Sequence, residues 1–115
     1  MAEIIEITIT YHEADAARLA AQDLVARRLA ACVHIAGPVE SVFRWDNAVQ
    51  IAPEWRLTVK TQKPLAQTVA DHLIQHHPYD LPGLVFHPCD CLPAFADWVV
   101  AETTEPDLTK NENDP

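Results

Sequence analysis

The spacing of apolar residues along this chain changes between two and about 3.6 positions, and this change is the strongest constraint on its fold. Residues 3–11 alternate isoleucine with glutamate or threonine, which predicts a half-buried strand. Residues 15–31 contain neither glycine nor proline and place alanine and leucine at helical spacing, which predicts a helix. Asp15 suits the N-cap or the first turn of that helix, where its charge complements the helix dipole.

The middle of the chain predicts a long β-hairpin. Residues 32–45 have strand character with one interruption at the Gly-Pro pair at 37–38, which indicates a bulge or a kink. The Asp-Asn pair at 46–47 is typical of a turn, and strand character resumes after it as far as residue 61. Two long strands joined by a tight turn form a hairpin.

The last third of the chain predicts a helix, a short strand and a short third helix. Pro64 suits the first turn of the second helix. His77-Pro78 ends it, because proline disfavours helical conformation in the residue before it. Residues 84–89 then predict a strand, and residues 93–102 predict the third helix.

The order β-α-β-β-α-β followed by a small helix is that of the ferredoxin-like arrangement. This is an α+β fold with one antiparallel sheet and both main helices on a single face. We expect residues 1–104 to form this domain and residues 105–115 to form a disordered acidic tail. Two helices leave one sheet face and the end of the long hairpin uncovered, and an exposed apolar overhang is an oligomer surface. The sequence therefore predicts a homo-oligomer.

Charge and composition exclude several classes of partner and location. The formal net charge is −9, and residues 105–115 hold four acidic residues against one lysine, so most of the charge lies on the folded body. Such a surface repels phosphate backbones, so no nucleic acid partner is expected. No apolar run approaches the length of a membrane span, and the N-terminus lacks the features of a signal peptide. We expect a cytoplasmic protein without membrane contact, whose three cysteines are reduced thiols.

An enzymatic function has little support in the sequence. Ser41 is the only serine and lies within a predicted strand. With two glycines, the chain has neither a nucleophile elbow nor a glycine-rich phosphate loop. We therefore expect no catalytic activity and no organic cofactor.

Imidazole and thiol groups are concentrated between His72 and Cys91, where four of the six histidines and two of the three cysteines lie. These groups bind Zn and Cu ions, so their density favours a metal site. His76 and His77 also have a structural interpretation, because a histidine at a helix end can bond free carbonyls or complement the helix dipole. Adjacent histidines rarely point the same way, so one of the two would bind a metal.

His87, Cys89 and Cys91 occupy alternate positions of a predicted strand and would therefore project to one face. The two cysteine α-carbons would lie about 6.6 Å apart along a strand, near the upper limit for a disulfide. A Cu(I) or Zn ion bound by both thiols fits this separation more easily than a disulfide does. The alternative is burial, because cysteine is among the most buried residue types.

Five segments occur in an order and at a spacing that closely resemble the CutA divalent-cation-tolerance family: residues 28–35, 41–45, 59–61, 76–82 and 95–98. The resemblance covers roughly residues 4–103. It implies a ferredoxin-like fold and a compact homotrimer, in which long hairpins of neighbouring subunits extend one another's sheets. It also implies a likeness to the trimeric PII nitrogen-signalling proteins, whose subunit clefts bind small ligands, and a link to tolerance of copper and other divalent cations.

The same resemblance implies that Cys32 is the cysteine that corresponds to a copper ligand of the family. The alternative is that the Cys32 side chain fills the core. Ile9 stands where some relatives have a cysteine, so a copper site that uses that thiol is not available. Gly83 replaces a usual glutamate. Residues 86–91 replace a mostly apolar strand and add histidine and cysteine that relatives need not share.

We therefore expect a cytoplasmic homotrimer that acts in divalent-cation tolerance and in the response to metal ions. It would bind Cu or Zn weakly through members of this set: His76, His77, Cys32, His87, Cys89 and Cys91. The alternative is a PII-like signalling or scaffold protein that binds a small ligand or an unidentified protein partner between subunits. In that case Tyr79, Lys60 and Arg44 would line a cleft that accepts an anion.

Overall fold

The computed structural model describes residues 1–109. Its elements are, in chain order, β1 (Ala2–Tyr11), α1 (Ala14–Ala26), β2 (Cys32–Trp45), β3 (Ala48–Thr61), a short 3₁₀ helix (Lys63–Leu65), α2 (Ala66–Gln75), β4 (Val85–Cys91) and α3 (Pro93–Glu102). The strands form one antiparallel sheet in the order β2-β3-β1-β4. The prediction of a mixed α+β fold around an antiparallel sheet is confirmed. None of the helices in residues 1–109 combines the length and apolar character needed to cross a bilayer.

The main core lies between one face of the sheet and the helices α1 and α2. Alternation along β1 directs Ile5, Ile7 and Ile9 to this face, where each is at most 5% exposed. Both helices contribute to the same apolar cluster, through Ala17, Ala21, Leu24, Val69 and Leu73. Burying one isoleucine side chain stabilises a fold by about 1.5–3 kcal/mol. The two main helices therefore share one face of the sheet.

Helix α1 ends earlier than its sequence predicts. It stops at Ala26 rather than at residue 31, because Arg28 has a left-handed conformation with φ of 60°. The amides of the next two residues donate back to the carbonyl of Leu24, at 3.0 and 3.2 Å. The guanidinium of Arg28 donates to two carbonyls at the C-terminal end of α3. These bonds to a distant part of the chain hold the helix end in place.

Strands β2 and β3 form the predicted long hairpin. Trp45 pairs with Ala48 across residues 46–47, whose φ angles are 52° and 60°. Positive φ at both central residues is typical of a two-residue hairpin turn. A register shift between Ala36 and Val39 marks the irregularity predicted at the Gly-Pro pair.

The outer half of this hairpin carries exposed apolar side chains. Val42 and Val49 are each 62% exposed and Ile51 is 67% exposed. The aromatic rings of Phe43 and Trp45 are also exposed, at 41% and 49%. The register places Val42, Val49 and Ile51 on one face of the hairpin and the two aromatic rings on the other. Exposed apolar side chains on both faces of an extended hairpin are typical of a site where another chain packs.

The segment after α3 contacts the end of α1. The amide of Asp107 donates to the carbonyl of Arg27 at 2.7 Å, and the Arg27 guanidinium donates to the carbonyl of Thr109. Residues 110–115 lie outside the described residues, so the disordered tail stays a prediction.

Alternation in β1 makes the core sensitive to truncation at Ile7. We expect Ile7→Ala to lower the free energy of unfolding by about 2–5 kcal/mol, because a fully buried side chain leaves a cavity. Leu19→Ala is the control, since Leu19 is 68% exposed and surface changes cost at most about 0.5 kcal/mol. Urea denaturation of the two variants measures both values. Equal costs would contradict the placement of Ile7 in the core.

Candidate functional site

His77 follows the end of α2, and two backbone groups hold its ring. The amide of Tyr79 donates to Nδ1 at 3.0 Å, so the ring proton lies on Nε2, which donates to the carbonyl of Thr10 at 2.8 Å. Burial lowers the pKa of His77, which favours the neutral ring. The imidazole therefore joins the loop after α2 to the end of β1, and both of its nitrogens are occupied.

Tyr79 extends this network to the hairpin. Its hydroxyl donates to one carboxylate oxygen of Glu54 at 2.6 Å, and Ser41 donates to the other oxygen at 2.6 Å. Burial acts to raise the pKa of Glu54, but these hydroxyl groups outweigh it and lower that pKa. Burial and the neighbouring carboxylate raise the pKa of Tyr79. Glu54 thus links the loop after α2 with both strands of the hairpin.

His76 has different neighbours from His77. It lines a groove of about 400 Å³ between α1 and α2, together with His72, Asp23 and Tyr11. The His72 and His76 ring centroids lie 4.9 Å apart, and His72 Nε2 lies 2.6 Å from Asp23 Oδ2. Burial acts to raise the pKa of Asp23, but hydrogen bonds from Arg27 and His72 outweigh it and lower that pKa. The two adjacent histidines therefore serve different parts of the molecule.

The sheet face opposite α1 and α2, which we call the open sheet face, carries the other predicted ligands. The strand registers place Cys32 opposite Lys60, Lys60 opposite Glu6, and Glu6 opposite His87. Residues directly opposite one another in a sheet share a face. Lys60 and Glu6 form an ion pair, and the hydrogen bond from Lys60 lowers the pKa of Glu6 although burial opposes it. Cys89 lies on the same face, two residues along β4.

The three cysteines are free thiols, and the surroundings of Cys32 and Cys89 favour the protonated form. Burial, and then Glu6, raise the pKa of Cys89, whose Sγ donates to the carbonyl of His87 at 3.2 Å. Burial also raises the pKa of Cys32. Cys91 packs with Cys89 against the small apolar cluster under α3. Cys32 and Cys89 must therefore lose a proton before they bind a metal.

The structure thus places the six predicted metal ligands in different parts of the fold. His87, Cys89 and Cys91 share one face of β4 by strand alternation, while Cys32 lies on the far side of Lys60. Within residues 1–109, no three His, Cys, Asp or Glu side chains stand in an arrangement that could hold a metal ion. Metal binding by this set stays a prediction. The sequence analysis did not identify Glu6, Asp23 or Glu54 as site residues. For Glu6 a signal was present, because alternation in β1 places it on the face opposite the isoleucines.

A comparison with known protein families assigns the chain. Residues 5–102 match the model of the CutA1 divalent ion tolerance protein family. The chain belongs to the CutA family. The resemblance found in the sequence is confirmed.

Curated relatives from distant organisms agree with this assignment. The divalent-cation tolerance protein CutA of Thermus thermophilus is 34% identical over 90% of this chain and 99% of that protein. The chloroplastic CutA protein of Arabidopsis thaliana is 33% identical over 73% of this chain and 46% of that protein. The match to a chloroplastic CutA protein of Oryza sativa covers 48% of that protein. The chain therefore spans about half the length of these plant relatives.

Solved structures of the family have the same fold. CutA1 from Oryza sativa superimposes with a TM-score of 0.83 at 29% identity, over 90% of this chain and 94% of that chain. The divalent cation tolerance protein of Thermus thermophilus superimposes with a TM-score of 0.82 at 32% identity, over 89% of this chain and 99% of that chain.

The lowered pKa of His77 predicts a pH dependence of stability. A pKa below the usual 6.5 means that the folded chain binds this proton less readily than the unfolded chain. The contribution of His77 is therefore fully present above pH 6.5 and is lost as the pH falls through the folded value. We expect the free energy of unfolding to fall between pH 7 and pH 5 less steeply in His77→Gln than in the unmodified chain. His34→Gln, at an exposed histidine, is the control, and an unchanged slope in His77→Gln would contradict this assignment.

Proposed function

We propose that this protein acts in the tolerance of divalent cations and in the response to metal ions, as a homotrimer that binds Cu or Zn weakly. The observation that carries this proposal is the position of Cys89 beside Glu6, with His87 opposite, on the open sheet face. Thiolate, imidazole and carboxylate are ligands for Zn, and thiolate is preferred by Cu(I). Membership of a divalent ion tolerance family supports the same function.

The charges around Cys89 support weak binding of a metal ion rather than a permanently bound one. The raised pKa of Cys89 means that a cation competes with a proton for the thiol. The Lys60 ammonium is paired with Glu6 and would repel an approaching cation. Since no three ligands converge within residues 1–109, the side chains of one chain do not fit a closed metal centre. We therefore treat the metal ion as a transient ligand.

The proposed assembly rests on the sheet and the hairpin. The order β2-β3-β1-β4, with both main helices on one face, supports a ferredoxin-like topology. Strand β2 is an edge strand, and the outer half of the hairpin that it forms with β3 carries the exposed apolar side chains. Three copies joined through their hairpins would pair this edge and cover those side chains, which is how an exposed strand edge is protected.

The proposal also places the protein in the cytoplasm, without catalytic activity, organic cofactor, nucleic acid partner or membrane contact. The Archaeoglobus fulgidus relative is described as a periplasmic protein. Fractionation of cells that express the full chain decides between these two locations.

A second function is a PII-like signalling or scaffold role, with a small ligand or a protein partner bound between subunits. The network of His77, Tyr79 and Glu54 favours it, because this network lies where the exposed hairpin meets the end of β1. In the single chain, Lys60 is paired with Glu6 and Tyr79 with Glu54. An anion site made of Lys60, Tyr79 and Arg44 would therefore require these pairs to break.

The thiol of Cys89 is the group whose removal tests the metal-binding proposal. We expect Cys89→Ser to weaken Cu(I) binding to the reduced, untagged protein at least tenfold, because loss of a ligand thiolate removes the strongest Cu(I) contact. Competition titration with a Cu(I) chelator measures the affinity. His34→Ala is the control, because it removes an exposed histidine of the same face that is not among the six predicted ligands. Equal affinity in the unmodified chain and the Cys89 variant would refute the thiol site.

The apolar hairpin surface is the part of the chain on which the trimer depends. We expect Ile51→Lys to shift the sedimentation coefficient from that of a trimer to that of a monomer, because a charge in an apolar interface is desolvated without a partner. Leu19→Lys on α1 is the control, since Leu19 is 68% exposed and Ile51 is 67% exposed. A monomeric unmodified chain, or a trimer that survives in the Ile51 variant, would exclude this assembly.

A further inference from the structure

The groove between α1 and α2 lies on the helix-covered side of the sheet, away from the open sheet face. We infer that it binds a small organic carboxylate with an apolar body, through the hydroxyl of Tyr11 and the imidazole of His76. This site needs neither a metal ion nor a second subunit, so it goes beyond the proposed function.

The hydroxyl of Tyr11 is a polar group that the fold leaves without a partner. Alternation in β1 directs the ring into the main core, and Tyr11 is 3% exposed. No group within residues 1–109 forms a hydrogen bond with its hydroxyl. Since every fully buried polar side-chain atom in these residues has a partner, this oxygen must remain accessible, and Tyr11 lines the groove. Burial raises the pKa of Tyr11 to about 12, so the hydroxyl keeps its proton and has a hydrogen bond to donate.

His76 supplies a second donor at the rim of the same groove. It caps the C-terminal end of α2 and is exposed. Its ring lies beside that of His72, but within residues 1–109 neither of its nitrogens takes part in a hydrogen bond. The neutral ring carries one N–H, and the protonated ring carries two. Tyr11 and His76 therefore offer one donor for each oxygen of a carboxylate, and hydrogen bonds to an ionised acceptor are the strong ones.

The charges around the groove favour an anion over a cation. Asp23 is the acidic residue of the lining, and both of its oxygens are in use. One accepts from Arg27 at 2.8 Å, and the other lies 2.6 Å from Nε2 of His72. Although burial opposes it, these hydrogen bonds lower the pKa of Asp23, so its negative charge is balanced by that of Arg27. The ligand leaves these bonds intact and meets a neutral or positive groove on a chain whose formal net charge is −9.

The walls of the groove fit the apolar body of the ligand. They consist of Ala16, Leu19, Ala20, Leu73 and Pro78. The groove has a volume of about 400 Å³, and pockets that bind small organic molecules range from about 300 to 1,000 Å³. Because a second acidic group would find no free donor on these walls, the class of ligand is a monocarboxylate with an aromatic or branched aliphatic body.

The test uses benzoate as the probe, added to the untagged full chain in the presence of EDTA and followed through the backbone NMR signals of α1 and α2. We expect Tyr11→Phe to weaken binding about tenfold, because a hydrogen bond to a charged group is lost. His76→Ala should weaken it in the same way. The free energy of unfolding of Tyr11→Phe should stay unchanged, since the hydroxyl has no partner within residues 1–109. The matched control is His34→Ala, which removes an exposed histidine of the open sheet face and should leave the affinity unchanged.

Two further measurements test the class of ligand and the position of the site. Benzamide has the shape of benzoate without its charge and should bind more weakly. Ala20→Leu fills the groove and should abolish binding, whereas Ile51→Lys on the hairpin should leave it unchanged.

Several outcomes would overturn the groove site. They are no binding of benzoate to the unmodified chain, equal affinity in Tyr11→Phe, and loss of binding in Ile51→Lys, which would place the ligand between subunits. Equal affinity for benzoate and benzamide would overturn the carboxylate class. Cys89→Ser should not change benzoate binding, so failure of the metal-binding proposal and failure of this inference are distinguishable.

Discussion

The alternation of β1 between the two faces of the sheet is the constraint on which the rest of the structure depends. Ile5, Ile7 and Ile9 seal the core beneath α1 and α2, so Glu6 must point to the opposite face. A slip of one residue would bury the Glu6 carboxylate and expose the isoleucines, which no other contact could compensate. The same register fixes Lys60, Cys32 and His87 around Glu6. The core therefore determines which polar groups meet on the open sheet face.

The adjacent residues His76 and His77 form one sequence motif, but their side chains have different roles in the structure. His77 holds the loop after α2 against β1 through both ring nitrogens, so a metal ion could bind this ring only after one of the two hydrogen bonds breaks. His76 lies one position earlier on the helix end and turns toward the groove instead. The helix end therefore separates a structural imidazole from one that is available to a ligand.

Periodicity was sufficient to predict the strands, the hairpin turn and the bounds of α3, because each depends on nearby residues. The end of α1 was not predictable, since the left-handed Arg28 is held by carbonyls of α3. For the same reason the partners of the site residues were missed. Asp23 meets His72 across 49 positions of sequence, and Glu54 meets Tyr79 across 25. A local sequence pattern cannot predict contacts between residues so far apart in the chain, because only the packing of α1, α2 and the hairpin brings them together.

The position of His87 on the open sheet face explains how this chain can carry that imidazole without disturbing the main core. Cys89 lies on the same face, where it packs against the small apolar cluster under α3 that contains Ile4. The main core lies on the other side of the sheet, so polar side chains on β4 displace none of its isoleucines. A buried strand would lose about 2–5 kcal/mol when a large apolar side chain is replaced by a small one. Imidazole and carboxylate groups on the open sheet face lie outside the main core, so substitutions among them leave the packing of that core unchanged.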